Sequence, residues 1–134
     1  MLDTMKKLLC AILLFLPVAL LTSCGGFSAE KSAELIEKIN SGAELTQDDY
    51  SQMMIQASKA IPVIEQTNEK MKAAAKSGQV LDLNKYADYA DASRAYETFT
   101  FILATDQERF DETNARAYED LLEEIKAFNE AMLR

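Results

Sequence analysis

TQDDYSQMMIQASKAIPVIEQTNEKMKAAAK, residues 46–76, is the stretch that decides the fold. Thr46 stands three residues before Asp49. A hydroxyl there can accept from the first free amides of a helix, and the acid can answer the cap's own N–H, a variant of the capping box. Asp48 and Asp49 also put negative charge where the helix dipole favours it. Tyr50, Met53, Met54, Ala57, Ile61, Ile64, Met71 and Ala75 then recur every three or four residues, the period of an amphipathic helix. Thr67 and Asn68 read as interruptions of that stripe. The helix is expected to reach Lys76 and to stop at Gly78. Pro62 lies inside it. Proline lacks an N–H and crowds the carbonyl four residues back, that of Ser58, so the pattern predicts either a kink or a break into two helices.

Working outward, the same period covers the rest of the chain. Upstream, Ala29 to Asn40 reads as a short helix capped by Ser28 and closed at Gly42, with Leu35, Ile36 and Ile39 as its stripe. Alone it is too short to be stable, so it must dock. Downstream, a third helix is expected from Asp82 or Asn84 to about Ala104. Leu83, Tyr86, Tyr89, Ala90, Ser93, Tyr96, Phe99, Ile102 and Leu103 mark its inner side. Phe101 points away from Phe99, which predicts a helix lying between two others. Thr105 to Glu108 signals a further cap or a turn before Asp111. The last helix runs to about Met132, with Tyr118, Leu121, Leu122, Ile125, Phe128 and Met132 on one side. No stretch alternates with period two long enough for a strand. The fold class is therefore all-α: an antiparallel three- or four-helix bundle over residues 29–134.

The first residues have a different character. Lys6 and Lys7 precede an apolar run, Leu8 to Leu21, broken only by Pro17. That is the order of a signal peptide, and the run is short of the roughly 20 residues a spanning helix needs. Met5 offers a second start. The run ends in Leu21-Thr22-Ser23-Cys24. This resembles the lipobox of bacterial lipoproteins: an aliphatic residue, two small ones, then cysteine. The resemblance covers only the leader and the first mature residue. It implies that residues 1–23 are a cleaved lipoprotein signal peptide and that Cys24 is lipidated. Residues 24–28 would then be the lipidated cysteine and a tether of glycine and serine. It also implies a chain held to a membrane by acyl groups, two or more of which anchor stably. Gly25, in place of aspartate, points to an outer membrane, facing the periplasm, if the cell has two membranes. With Cys10 lost and Cys24 acylated, no thiol remains for a disulfide, a thiolate metal site or a nucleophile.

Composition narrows the chemistry. The chain of 134 residues carries 22 acidic and 14 basic side chains, a net charge of −8, with no histidine and no tryptophan. An acidic surface repels nucleic acid, so no nucleic-acid partner is expected. Without histidine there is no serine triad, no Glu-x-x-His di-iron site and no common metal ligand. No glycine-rich phosphate loop is present. Neither a cofactor nor a metal is expected. The acids of residues 106–124 could pair for glycoside hydrolysis, but Glu119, Asp120, Glu123 and Glu124 sit opposite the apolar stripe, as a solvated face does. Asp82 to Asp88 lacks the glycine and closing glutamate of a calcium loop. Met53, Met54 and Met71 follow the core stripe.

Two functions remain. The first is a non-enzymatic, membrane-anchored envelope lipoprotein that binds another envelope protein or supports an assembly. The second is a lipoprotein holding a peptide, glycan or lipid in a groove lined by Tyr86, Tyr89 and Tyr96 at the Pro62 bend, since tyrosine presents an apolar body and a polar tip.

Overall fold

The computed structural model describes residues 26–134. The expected leader and lipobox, with Cys24, lie outside these. Four α-helices make up the body: α1 (Ala29–Asn40), α2 (Gln47–Lys76), α3 (Ala87–Thr105) and α4 (Glu112–Met132). Short 3-10 turns at Leu83–Lys85 and Gln107–Arg109 punctuate the links around α3. Among the described residues there is no strand, and the fold is an all-α bundle.

Local chemistry sets the helix ends. The Ser28 hydroxyl accepts from the Lys31 amide and opens α1. At its other end Gly42 takes a positive φ of 76°, and the Ala43 amide reaches back to the Lys38 carbonyl. The Thr46–Asp49 capping box is complete in both directions. Gly78, at φ 74°, closes α2 in the same left-handed way as Gly42 closes α1. The Asp111 carboxylate caps α4 through the Asn114 amide. At Thr105 the cap signal resolves into a turn: Asp106 makes no side-chain cap, and the Thr105 hydroxyl bonds instead to the Phe101 carbonyl.

Contacts at both ends of α2 fix the directions of its neighbours. Tyr50 meets Asp106 at one end and Lys70 meets Tyr86 at the other, so α3 runs opposite to α2. Gln47 meets Asn114, and Asn68 meets Met132, so α4 runs alongside α2. Ser28 meets Gln56, and Lys38 meets Asp49, so α1 runs back along the first half of α2. Phe27 is half-buried against the core, and the Ser28 amide donates to Gln56 Oε1 at 2.8 Å. Residues 27 and 28, read as tether in the sequence, thus pack on the body.

The core differs from the sequence reading in register more than in kind. Ala57 and Ala60 of α2 and Ala92 and Ala95 of α3 are all fully buried. Methyl side chains let two helix backbones approach closely, and α2 and α3 form the most intimate pair. The inner side of α3 is therefore Ala92, Ala95, Phe99 and Leu103. Ala90, expected inside, is exposed. Phe101 is 70% exposed, so α3 does not lie between two helices at that face. On α2 the stripe passes through Thr67, which is buried with its hydroxyl on the Val63 carbonyl four residues back, and through Ala74 in place of Ala75. α2 continues through Pro62 as one helix, so the alternative of two separate helices is set aside. On α4, Leu122 and Met132 are largely exposed, while Tyr118, Leu121 and Phe128 are buried.

Candidate functional site

The residues singled out in the sequence do not converge. Tyr86 is the N-cap residue of α3, with φ −123° and ψ 60°, and not part of the helix that carries Tyr89 and Tyr96. The reason is local: the Asp82 carboxylate accepts from the Asn84 amide, which holds a turn and delays the helix to Ala87. The Tyr86 ring lies under the Lys70 ammonium, 4.9 Å from the ring centre. Tyr96 packs edge-on against Phe128, and burial raises its hydroxyl above the usual phenol range. Tyr89 is half-buried beside the same cluster. Of five surface cavities between 320 and 570 Å³, none is lined by Tyr86, Tyr89 or Tyr96.

Pro62 is placed differently. It lines two adjoining cavities between α2 and α4. The first, of about 570 Å³, includes Glu65, Glu69, Lys72 and Met132. The second, of about 450 Å³, includes Ser58, Glu65, Glu124 and Phe128. A third, of about 370 Å³, continues along Ile55, Ser58, Ala117 and Glu124. Shared residues join the three into one open groove along the α2–α4 seam. Pro62 has no N–H to give the Ser58 carbonyl, and both residues line the groove. The floor is apolar and the rims carry both signs, Lys59, Lys70 and Lys72 with Glu65, Glu69, Asp120 and Glu124. Asn68 Nδ2 donates to Met132 Sδ at 3.0 Å near the open end.

The opposite end of the bundle is held by a hydrogen-bonded network, beside a separate open cavity of about 540 Å³ lined by Gly42, Leu45, Gln47, Tyr50 and Arg109. The Tyr50 hydroxyl, on a side chain 1% exposed, donates to Asp106 Oδ2 at 2.9 Å. Burial pushes that phenol up, Asp106 adds to the effect, and Arg109 offsets part of it. The Phe110 ring stands edge-on to both Tyr50 and Tyr118. Gln47 accepts from the Asp111 amide and donates to the Arg109 carbonyl, while buried Asn114 donates to the Gln47 backbone and side chain. Beside it, Lys38 and Asp49 pair at 2.6 Å. These amides and Gln56 were not legible as partners. Their only sequence signal is a polar residue at a core position of a helix.

Among the described residues no group of three or more acids, histidines or cysteines is placed to hold a metal. Glu119 and Glu123 are exposed on the outer side of α4, and Asp120 and Glu124 reach the groove rim beside Lys59. No described helix is long and apolar enough to cross a membrane. Comparison with protein-family models, with curated proteins and with solved structures finds no match for this chain.

Proposed function

We propose that this chain is a bacterial envelope lipoprotein, anchored by lipid on Cys24, whose helical body is a non-enzymatic module for binding another envelope protein. The observation that carries the reading is the run from Lys6 through Leu8–Leu21 to Leu21-Thr22-Ser23-Cys24, followed almost at once by a folded body. The α2–α4 groove supports the second half of the reading. It is long, open, apolar in its floor and charged on both rims, which suits a helical or extended segment of a partner. The anchor places the body at a membrane face, the periplasmic face of an outer membrane where there is one.

The test is photo-crosslinking in cells from positions on the groove, Lys59 and Glu65, against positions on the outer face of α4, Glu119 and Glu123. One discrete adduct from the groove positions, lost in Cys24→Ser, is the expected result. Equal adducts from both faces, or adducts that persist without the anchor, would contradict an anchored module that binds through the groove.

A further inference from the structure

The site of attachment limits how the body can sit on the bilayer. Phe27 is packed against both parts of the core, and the Ser28 amide is bonded to Gln56. The folded body therefore begins three residues after Cys24. Three residues in any conformation span at most about 11 Å. Gln56 lies about 14 Å from the start of α2 and about 30 Å from its end, at 1.5 Å per residue. The linker is thus shorter than the distance from its attachment point to either end of α2, before the loops beyond each end are counted. A bundle held this way cannot stand on the far end of α2, and standing on the near end would need the linker and the lipidated side chain fully extended.

Charge and helical geometry select which side lies down. At about 100° per residue, Ser58, Pro62 and Glu65 lie roughly 160°, 120° and 180° around α2 from Gln56. The attachment side and the α2–α4 groove are therefore on different sides of α2. α4 carries Glu112, Glu119, Asp120, Glu123, Glu124 and Glu130 against Arg116 and Lys126. α1 carries Glu30, Glu34 and Glu37 against Lys31 and Lys38, which leaves it nearly balanced. A bilayer containing anionic phospholipid repels the α4 side far more than the α1 side.

Resting on the lipoprotein reading above, we propose that α1 and the side of the bundle where the chain enters form a surface apposed to phospholipid headgroups. The bundle lies along the membrane, and the α2–α4 groove opens away from it. The lipid contact is an orienting one: the acyl chains supply the affinity, and the short linker and the charge asymmetry supply the direction.

The experiment uses the full-length chain isolated from bacterial membranes with its own anchor. It is reconstituted in vesicles of phosphatidylethanolamine and phosphatidylglycerol that carry a headgroup quencher. Because Cys24 would be blocked by its acyl group, a fluorophore can be placed at Glu34→Cys on α1 or Glu123→Cys on α4. Several-fold stronger quenching at position 34 than at 123 is expected. A long Gly-Ser insertion between Gly26 and Phe27 is expected to erase most of the difference. Equal quenching at the two positions without the insertion, or stronger quenching at 123, would overturn the orientation while leaving the anchor intact. Failure of the unmodified chain to float with vesicles, matching Cys24→Ser, would instead overturn the lipoprotein reading and the orientation with it.

Discussion

At the Tyr50 end of α2 a network of side-chain hydrogen bonds joins the helix to its neighbours beside an open cavity, whereas beyond Pro62 the helix borders the groove with fewer such ties. The first region holds Phe99, Met53 and Leu103 at zero exposure, three rings in edge contact and a chain of side-chain amides that pins the link before α4. The second holds a smaller cluster around Ala60, Ile64 and Phe128, the two largest cavities of the groove, and Val80 almost fully exposed in the link before α3. The difference is one of partners rather than of helix quality. α1 covers only the first half of α2, and α4 meets the second half along a seam lined by Pro62. The larger buried cluster lies at one end and the smaller one beside the groove.

Substitutions can break this contrast. Phe99→Ala removes a fully buried ring from the closed region and is expected to cost about 3–5 kcal/mol in urea unfolding. Phe128→Ala, beside a cavity that can relax, is expected to cost clearly less. Equal losses would mean the two regions are packed alike. Pro62→Ala restores the amide to the Ser58 carbonyl and is expected to stabilise the body by up to about 3 kcal/mol while weakening capture of a partner at the groove. A lower melting temperature in that variant would mean the proline is built into the packing.

Smaller effects sharpen the same comparison. Tyr50→Phe leaves the Asp106 carboxylate without its buried donor and is expected to cost about 1–2 kcal/mol, read by chemical denaturation. For Asp49, burial alone would raise the carboxyl. The hydrogen bonds from Lys38 and Thr46, with the Lys38 charge, more than reverse that, so its pKa lies below the ordinary aspartate value. A carboxyl depressed in the folded state stabilises above its unfolded pKa, and the contribution fades as pH falls through the folded one. Melting curves between neutral pH and pH 2 are expected to show an acid loss that Asp49→Asn reduces. An unchanged acid profile in Asp49→Asn would remove Asp49 as its source.

Much of this fold was legible because helix ends are local chemistry. The Ser28 cap, the Thr46–Asp49 box and the turns at Gly42 and Gly78 each depend on residues within a few positions, and the sequence reading placed them where they occur. The register of α3 was legible only in part: Phe99 and Leu103 lie inside as read, and the first half of the helix differs. Tyr86, Tyr89, Ser93 and Tyr96 suggest an inner stripe, but close approach to α2 requires small side chains, and Ala92 and Ala95 face inward instead. The spacing Ala57, Ala60 with Ala92, Ala95 was a usable signal. Asn114 and Gln47 are 67 residues apart, and no local pattern couples them. The groove depends on how α4 is set against α2, which only the assembled bundle determines. Within it, Pro62 lines two of the cavities, a placement that its break in the sequence pattern did not by itself reveal.

The most direct test of the account is the intact mass of the protein purified from bacterial membranes. The account predicts a chain that begins at Cys24 and carries the added mass of a diacylglyceryl group, with Cys24→Ser recovered as the unprocessed, unmodified precursor. A wild-type chain that begins elsewhere, or that begins at Cys24 with a free thiol, would contradict it.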